Sequence, residues 1–187
     1  MDKQHQIVII GGGTAGIMTA TQLLKKNASL DIAIIDPAET HYYQPAWTLV
    51  GAGAYDYKNT ARSMASLIPK SVTWVKDFVT SFQADEHTID TENSGKIGYE
   101  FLVVAPGLVM DPSLIEGLTE AMEKGIVCSN YTNPEHTWET IKNFKGGNAL
   151  FTQPTTPIKC GGAPQKIAYL AADYFRKSGV AKKTNVI

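Results

Sequence analysis

The sequence predicts an α/β fold, with a parallel sheet layered between helices, an antiparallel β insertion, and the start of a second α/β domain. Three observations predict it. Residues 6–10 read Gln-Ile-Val-Ile-Ile, an unbroken apolar run of the kind buried on both faces of a parallel sheet. A glycine-rich turn follows at once, and then Ala15 to Lys26 carries Ile17, Ala20, Leu23 and Leu24 at the spacing of one helical face. A second apolar strand, Asp31 to Ile35, ends at Asp36 and is stopped by Pro37.

The next elements depart from a simple α/β repeat. Residues 37–59 read as a long loop rich in Tyr, Trp, Gly and Pro, which marks a functional segment rather than a spacer. A short helix is expected over Thr60 to Leu67. Val72 to Val104 then reads as four short strands broken at Ala84–Glu86 and Glu92–Lys96. These form an antiparallel ribbon ahead of a buried strand, Phe101 to Val104. A turn-rich linker, 112–134, leads to a helix over Glu135–Asn143. A strand over Asn148–Thr152, a helix over Pro164–Lys177 closed by Gly179, and a final strand from Thr184 complete the chain. The domain division expected is 1–112, a linker and helix over 113–146, and 147–187 as the beginning of a second, truncated domain.

Composition excludes several classes. The 187 residues suffice for roughly 70% burial of the unfolded surface, so no disulfide or metal is needed to hold a core. The 17 Lys and Arg balance 18 Asp and Glu, which gives no footprint for nucleic acid. Two cysteines, Cys128 and Cys160, make no disulfide scaffold and fit a reducing compartment. The longest apolar run, Phe101 to Met110, is too short to cross a bilayer. The first strand begins too early for a signal peptide. No His, Cys or Asp cluster has metal-ligand spacing, and His41 stands alone.

Gly11-Gly12-Gly13-Thr14-Ala15-Gly16 is a G-x-G-x-x-G turn between strand and helix. Gly11 allows the tight turn, Gly13 lets a pyrophosphate approach the backbone, and Gly16 lets the helix sit close to the strand. The helix N-terminus supplies free N–H groups for phosphate. Asp36 lies 20 residues beyond Gly16, where a carboxylate can accept from a ribose diol and repel a 2′-phosphate. Together these predict a Rossmann-like dinucleotide-binding domain. The alternative for Asp36 is an Asp-Pro turn opener.

Cys160 sits in a second βα turn, Thr155 to Lys166, where a nicotinamide-using protein would carry another glycine fingerprint. A position just before a helix, with Lys159 and Lys166 near in sequence, favours a thiolate. A buried, inert cysteine is the other reading. For Tyr42, Tyr43 and Trp47, packing under the long loop competes with covering a cofactor. Cys128 reads as a small apolar filler.

The antiparallel ribbon and the Val103-Val104-Ala105-Pro106-Gly107 turn resemble the FAD domain of flavoproteins built from two dinucleotide-binding domains. The resemblance sharpens at His41 to Pro45, Trp47 to Gly53, Ser129-Asn130-Tyr131, and Pro157-Ile158-Lys159-Cys160 through Ile167. On these segments the chain resembles sulfide:quinone oxidoreductases of the mitochondrial-like branch. The resemblance implies FAD as cofactor, with contacts at Gly11, Gly13, Thr14, Ala15, Gly16, Asp36, Gln44, the strand residue Val79, Ala105 and Gly107. It implies Cys160 as a catalytic cysteine working through a disulfide and persulfide, with sulfide and quinone as substrates. It also implies a peripheral place on the cytoplasmic side of a membrane, through a C-terminal region absent here, and leaves oligomerisation open. A second redox cysteine is expected outside these residues. An NADH:quinone oxidoreductase and a non-catalytic FAD-binding module are the alternatives. The 187 residues are expected to be a fragment, with the helix face Ile167, Leu170, Ala171 and Tyr174 short of cover.

Overall fold

The structure is a computed structural model and describes residues 3–153, 155 and 160–187. They form two compact units, one of residues 1–42 and 62–109 and the other of 43–61 and 110–187. The excursion over 43–61 therefore groups with the C-terminal part of the chain, which no composition shift in the sequence announces.

The first unit begins with strand β1 (Lys3–Ile10), helix α1 (Thr14–Lys26) and strand β2 (Ile32–Ile35). The expected loop after Pro37 is structured in part: it holds β3 (Thr40–Tyr42) and, in the second unit, helix α2 (Trp47–Gly51). The helix expected over 60–67 is shorter, because β4 (Ala61–Ser63) takes its first residues and leaves α3 as Met64–Leu67. Then come β5 (Thr73–Val75), β6 (Val79–Gln83), β7 (Thr88–Thr91) and β8 (Gly95–Val104).

The six-stranded sheet has the order β5-β2-β1-β8-β7-β6. Strands β5, β2, β1 and β8 run parallel, while β7 and β6 are antiparallel additions. Two expectations change here. The first segment of the supposed four-stranded ribbon, β5, joins the parallel sheet beside β2, in register Ile34 to Trp74. The ribbon and the buried strand expected after it are one continuous strand, β8. Its residues 95–98 pair with β7, and its residues 97–104 run alongside β1. A three-residue strand such as Thr-Trp-Val carries too few positions for alternation to reveal its neighbour.

Helix α1 lays Ala20, with Ile17, Leu23 and Leu24, over Ile7, Ile9, Ile32 and Ile34. The opposite face buries Val8, Ile10, Ala33, Ile35, Val75, Ile89 and Ile97. Every residue of β2 is buried, as its unbroken apolar run requires. The end of β8 is not: Phe101 is 63% and Val104 55% exposed, because α1 covers β1 and β2 and only Val103 reaches that cluster. Apolar content states what a strand can bury, and tertiary cover decides what it does bury.

Asp77, only 2% exposed, fixes the turn between β7 and β8 to the start of β6. Its carboxylate accepts from the backbone N–H groups of Phe78 at 2.8 Å, Asn93 at 2.9 Å and Ser94 at 2.6 Å. Burial pushes its carboxyl up. The Ser94 side chain and the Asn93, Phe78 and Ser94 amides outweigh that and hold it well below the usual carboxylate range.

The second unit contains α2, α4 (Leu118–Glu123), α5 (Pro134–Asn143), β9 (Gly147–Ala149), α6 (Ala163–Lys177) and β10 (Thr184–Val186). Strands β9 and β10 pair in parallel. The β9 strand ends earlier than the expected 148–152. Contrary to expectation, the α6 face is covered: Ile167, Ala171 and Phe175 are buried with Ile141 of α5, and Trp138, Phe144 and Tyr174 pack around them. Helix α2 lies against α5 through glycine. A Cβ at Gly51 would collide with Asn130 Oδ1, and one at Gly53 would fall 2.5 Å from the Trp138 ring. Two of the segments that carry the family resemblance, 47–53 and 129–131, are thus packed on each other.

Candidate functional site

The glycine turn is built as its sequence predicts. Gly11 has φ +100°, its N–H donates to Ile35 O at 2.9 Å, and a Cβ there would collide with the Ala105 carbonyl oxygen. A Cβ on Gly16 would collide with the Gly11 carbonyl oxygen. At Gly13 nothing lies within 4 Å of a Cβ position, so this backbone is open to a ligand. Thr14 and Ala15 open α1, whose first-turn N–H groups have no helical acceptor. Ala105 closes the turn from the other side by donating to Ile10 O at 2.8 Å, and Gly107 follows with φ +81°. Gly11 and Gly16 thus have steric reasons to be glycine, and Gly13 leaves the backbone between them uncovered.

Asp36 is brought to this turn. Its Oδ2 accepts from the Gly12 N–H at 2.6 Å, and its Oδ1 accepts from the Ala38 N–H at 2.7 Å. The turn-opener reading of Asp36 is therefore met. A carboxylate has about four acceptor sites, so these two bonds leave capacity for a ribose hydroxyl. Val79 packs on the sheet face that carries Ile10, Ile35 and Val75. The first unit thus brings together Gly11 to Gly16, Asp36, Ala105 and Gly107. Gln44 and Cys160 belong to the second unit, where Gln44 opens a short 3-10 turn over Gln44–Ala46.

Cys160 is exposed, and its carbonyl accepts from the Ala163 N–H at 2.9 Å, which tightens the turn into α6. Within the expected motif, residues 154 and 156–159, Pro157, Ile158 and Lys159 among them, lie outside the described residues. Cys128 is half-buried. Sequence reasoning assigned Tyr131 no role, yet it faces Cys160 electrostatically: burial first, and then the Cys160 charge, push its phenol up. The Ser129 Oγ holds the Tyr131 N–H at 3.1 Å. The resemblance singles out Ser129-Asn130-Tyr131 as a segment, but only the fold pairs this tyrosine with the cysteine.

Other candidates resolve toward packing. Trp47 is 8% exposed and donates to Thr60 Oγ1 at 3.3 Å, whereas Tyr43 is 60% exposed. An open cleft of about 620 Å³ in the second unit is lined by Val50, Tyr55, Tyr57, Glu135 and Trp138, and holds none of the expected site residues. Among the described residues no cluster of His, Cys, Asp or Glu could hold a metal, and no helix is long and apolar enough to cross a membrane.

Comparison with known proteins shows what the chain is similar to. The chain is 44% identical over 187 residues to the mitochondrial sulfide:quinone oxidoreductase of Mus musculus, which covers 99% of the chain and 42% of that protein. It is 30% identical over 120 residues, 63% of the chain and 30% of that protein, to the type II NADH:quinone oxidoreductase of Staphylococcus aureus. The solved sulfide:quinone oxidoreductase of Aquifex aeolicus superposes with a TM-score of 0.79 at 26% identity, over 97% of this chain and 42% of that one. The chain spans about two-fifths of the length of the sulfide:quinone oxidoreductases it matches. The profile described as "Pyridine nucleotide-disulphide oxidoreductase" matches residues 5–145, three-quarters of the chain, and the chain belongs to that family.

Proposed function

We propose that these residues are the dinucleotide- and cysteine-bearing portion of a flavoenzyme that oxidises sulfide and delivers the electrons to a membrane quinone. The observation that carries this reading is Cys160, an exposed thiol in the turn that opens α6, where a second glycine fingerprint would otherwise stand. The extended similarity to sulfide:quinone oxidoreductases supports it.

The open backbone at Gly13 and the first N–H groups of α1, at Thr14 and Ala15, suit a pyrophosphate, with Gly11 and Gly16 setting the turn. Asp36 accepts from the ribose and discriminates against a 2′-phosphate by charge. Gln44, Val79, Ala105 and Gly107 complete the contacts that the resemblance implies. When bound, FAD supplies the two-electron redox chemistry that side chains lack. Cys160 takes part in a disulfide with a second cysteine outside these residues. Hydrosulfide attacks one sulfur, the S–S bond breaks, and the attacked sulfur becomes a persulfide. The other sulfur leaves as a thiolate holding the former bonding pair. In this reading the full-length protein lies peripherally on the cytoplasmic membrane face, through a region outside these residues.

In the full-length protein, Cys160→Ser is expected to retain FAD and lose bleaching of the flavin by sulfide. Cys128→Ser is expected to keep the wild-type rate. Reduction at the wild-type rate in Cys160→Ser would overturn the assignment. Bleaching by NADH and not by sulfide would favour the NADH:quinone oxidoreductase reading, which the Staphylococcus aureus similarity keeps in view.

A further inference from the structure

Asp36 is held by more than the glycine turn. Its N–H donates to Val75 O at 3.1 Å, and its carbonyl accepts from the Trp74 indole Nε1–H at 2.9 Å. The next residue is Pro37, so the direction of the Asp36 carbonyl also sets where Pro37 and Ala38 run. That direction decides whether the Ala38 N–H reaches Oδ1, as it does at 2.7 Å. With one carboxylate oxygen tied to Ala38 and the other to Gly12, the side chain has one orientation left.

The indole is itself fixed. Trp74 packs against the cluster of Ile7, Ile9, Ile32 and Ile34, and the Lys76 ammonium lies 4.5 Å over its ring. Lys76 reaches Glu39 Oε1 at 2.7 Å, and the Glu39 carbonyl accepts from the Met64 N–H at 2.8 Å. The Met64 side chain in turn would lie 3.2 Å from a Cβ on Gly12. Loop 36–39 is thus pinned from β5, from α3 and from the glycine turn.

We propose that Trp74 is a positioning residue for nucleotide binding: its indole N–H fixes the Asp36 carbonyl and, through the turn at Pro37, aims the Asp36 carboxylate at the ribose position. The inference rests on the reading of Asp36 as the ribose acceptor. Phenylalanine at position 74 keeps an aromatic ring in the core and removes the donor.

The test uses the whole chain with ADP as probe, following the indole N–H signals of its three tryptophans by ¹H–¹⁵N NMR. Trp74→Phe identifies the Trp74 signal by its disappearance. The Trp74 signal is expected to shift with ADP along the binding isotherm, which a tryptophan that serves only the core would not do. Trp74→Phe is expected to weaken ADP about fivefold, the worth of one neutral hydrogen bond. A Trp74 signal that stays still to saturation would overturn the inference. So would wild-type ADP affinity in Trp74→Phe while Asp36→Ala is weakened. If Asp36→Ala binds ADP as the wild type does, the ribose reading itself falls and takes this inference with it. Should Trp74→Phe fail to fold, the wild-type signal, assigned instead from Trp47→Phe and Trp138→Phe, still decides.

Discussion

The two turns that open helices α1 and α6 differ in how much of their own chemistry is already satisfied. At α1 the glycines are fixed by backbone collisions on two sides, and the Asp36 backbone and carboxylate are held by Val75, Trp74, Gly12 and Ala38. At α6 the turn is held at its carbonyl by Ala163, and the Cys160 side chain is exposed. A binding cradle gains from preorganisation, because nothing need move when a phosphate arrives. A sulfur that exchanges partners must instead be reachable.

The largest expected effect breaks the first turn. Gly16→Val places a side chain against the Gly11 carbonyl, which is backbone and cannot yield, so the first unit should lose several kcal/mol or fail to fold. Gly13→Ala meets nothing within 4 Å and should leave the melting temperature almost unchanged while weakening FAD retention. Differential scanning calorimetry and flavin release separate the two. Equal stability loss in both would show that the open side of Gly13 is not a ligand face.

The same contrast explains what the sequence discloses. The glycine turn is legible because Gly11 and Gly16 have local steric causes, and β2 is legible because burial on both faces leaves no polar position. The partners of Trp74 and Tyr131 are not legible: each interacts with a residue distant in sequence, through a pairing that only the fold creates. The cover of α6 was also hidden, since it comes from α5 and its neighbours, including Phe144 at 5.0 Å from Phe175. The exposure of Phe101 shows the reverse case, an apolar strand end that no helix of its unit covers.

A smaller effect distinguishes the first unit by pH. The Asp77 carboxyl is held below its ordinary value in the folded chain. Its contribution is therefore complete above the unfolded pKa of about 3.9, and is lost as pH falls through the lower folded value. Asp77→Asn should destabilise the first unit at neutral pH and flatten the acid limb of its stability profile, followed by urea unfolding between pH 2 and 6. An unchanged acid limb would mean that other carboxylates dominate it.

The smallest expected effect concerns the reachable sulfur. Helices α5 and α6 pair Trp138 with Tyr174 and Phe144 with Phe175, with ring centroids 5.0 Å apart in both cases. The Tyr131 and Cys160 turns precede these helices, and the Cys160 charge acts on the Tyr131 phenol. Burial and the Cys160 charge both favour the neutral phenol, the form that can donate a hydrogen bond to a thiolate. Tyr131→Phe removes that donor and keeps the ring. In a Cys128→Ser background, alkylation of Cys160 by iodoacetamide at pH 7 should slow about fivefold, since one hydrogen bond contributes about 1 kcal/mol. A loosened turn would instead raise the rate. An alkylation rate equal to the wild type's would show that the phenol only packs, and that the α6 turn leaves its sulfur to solvent.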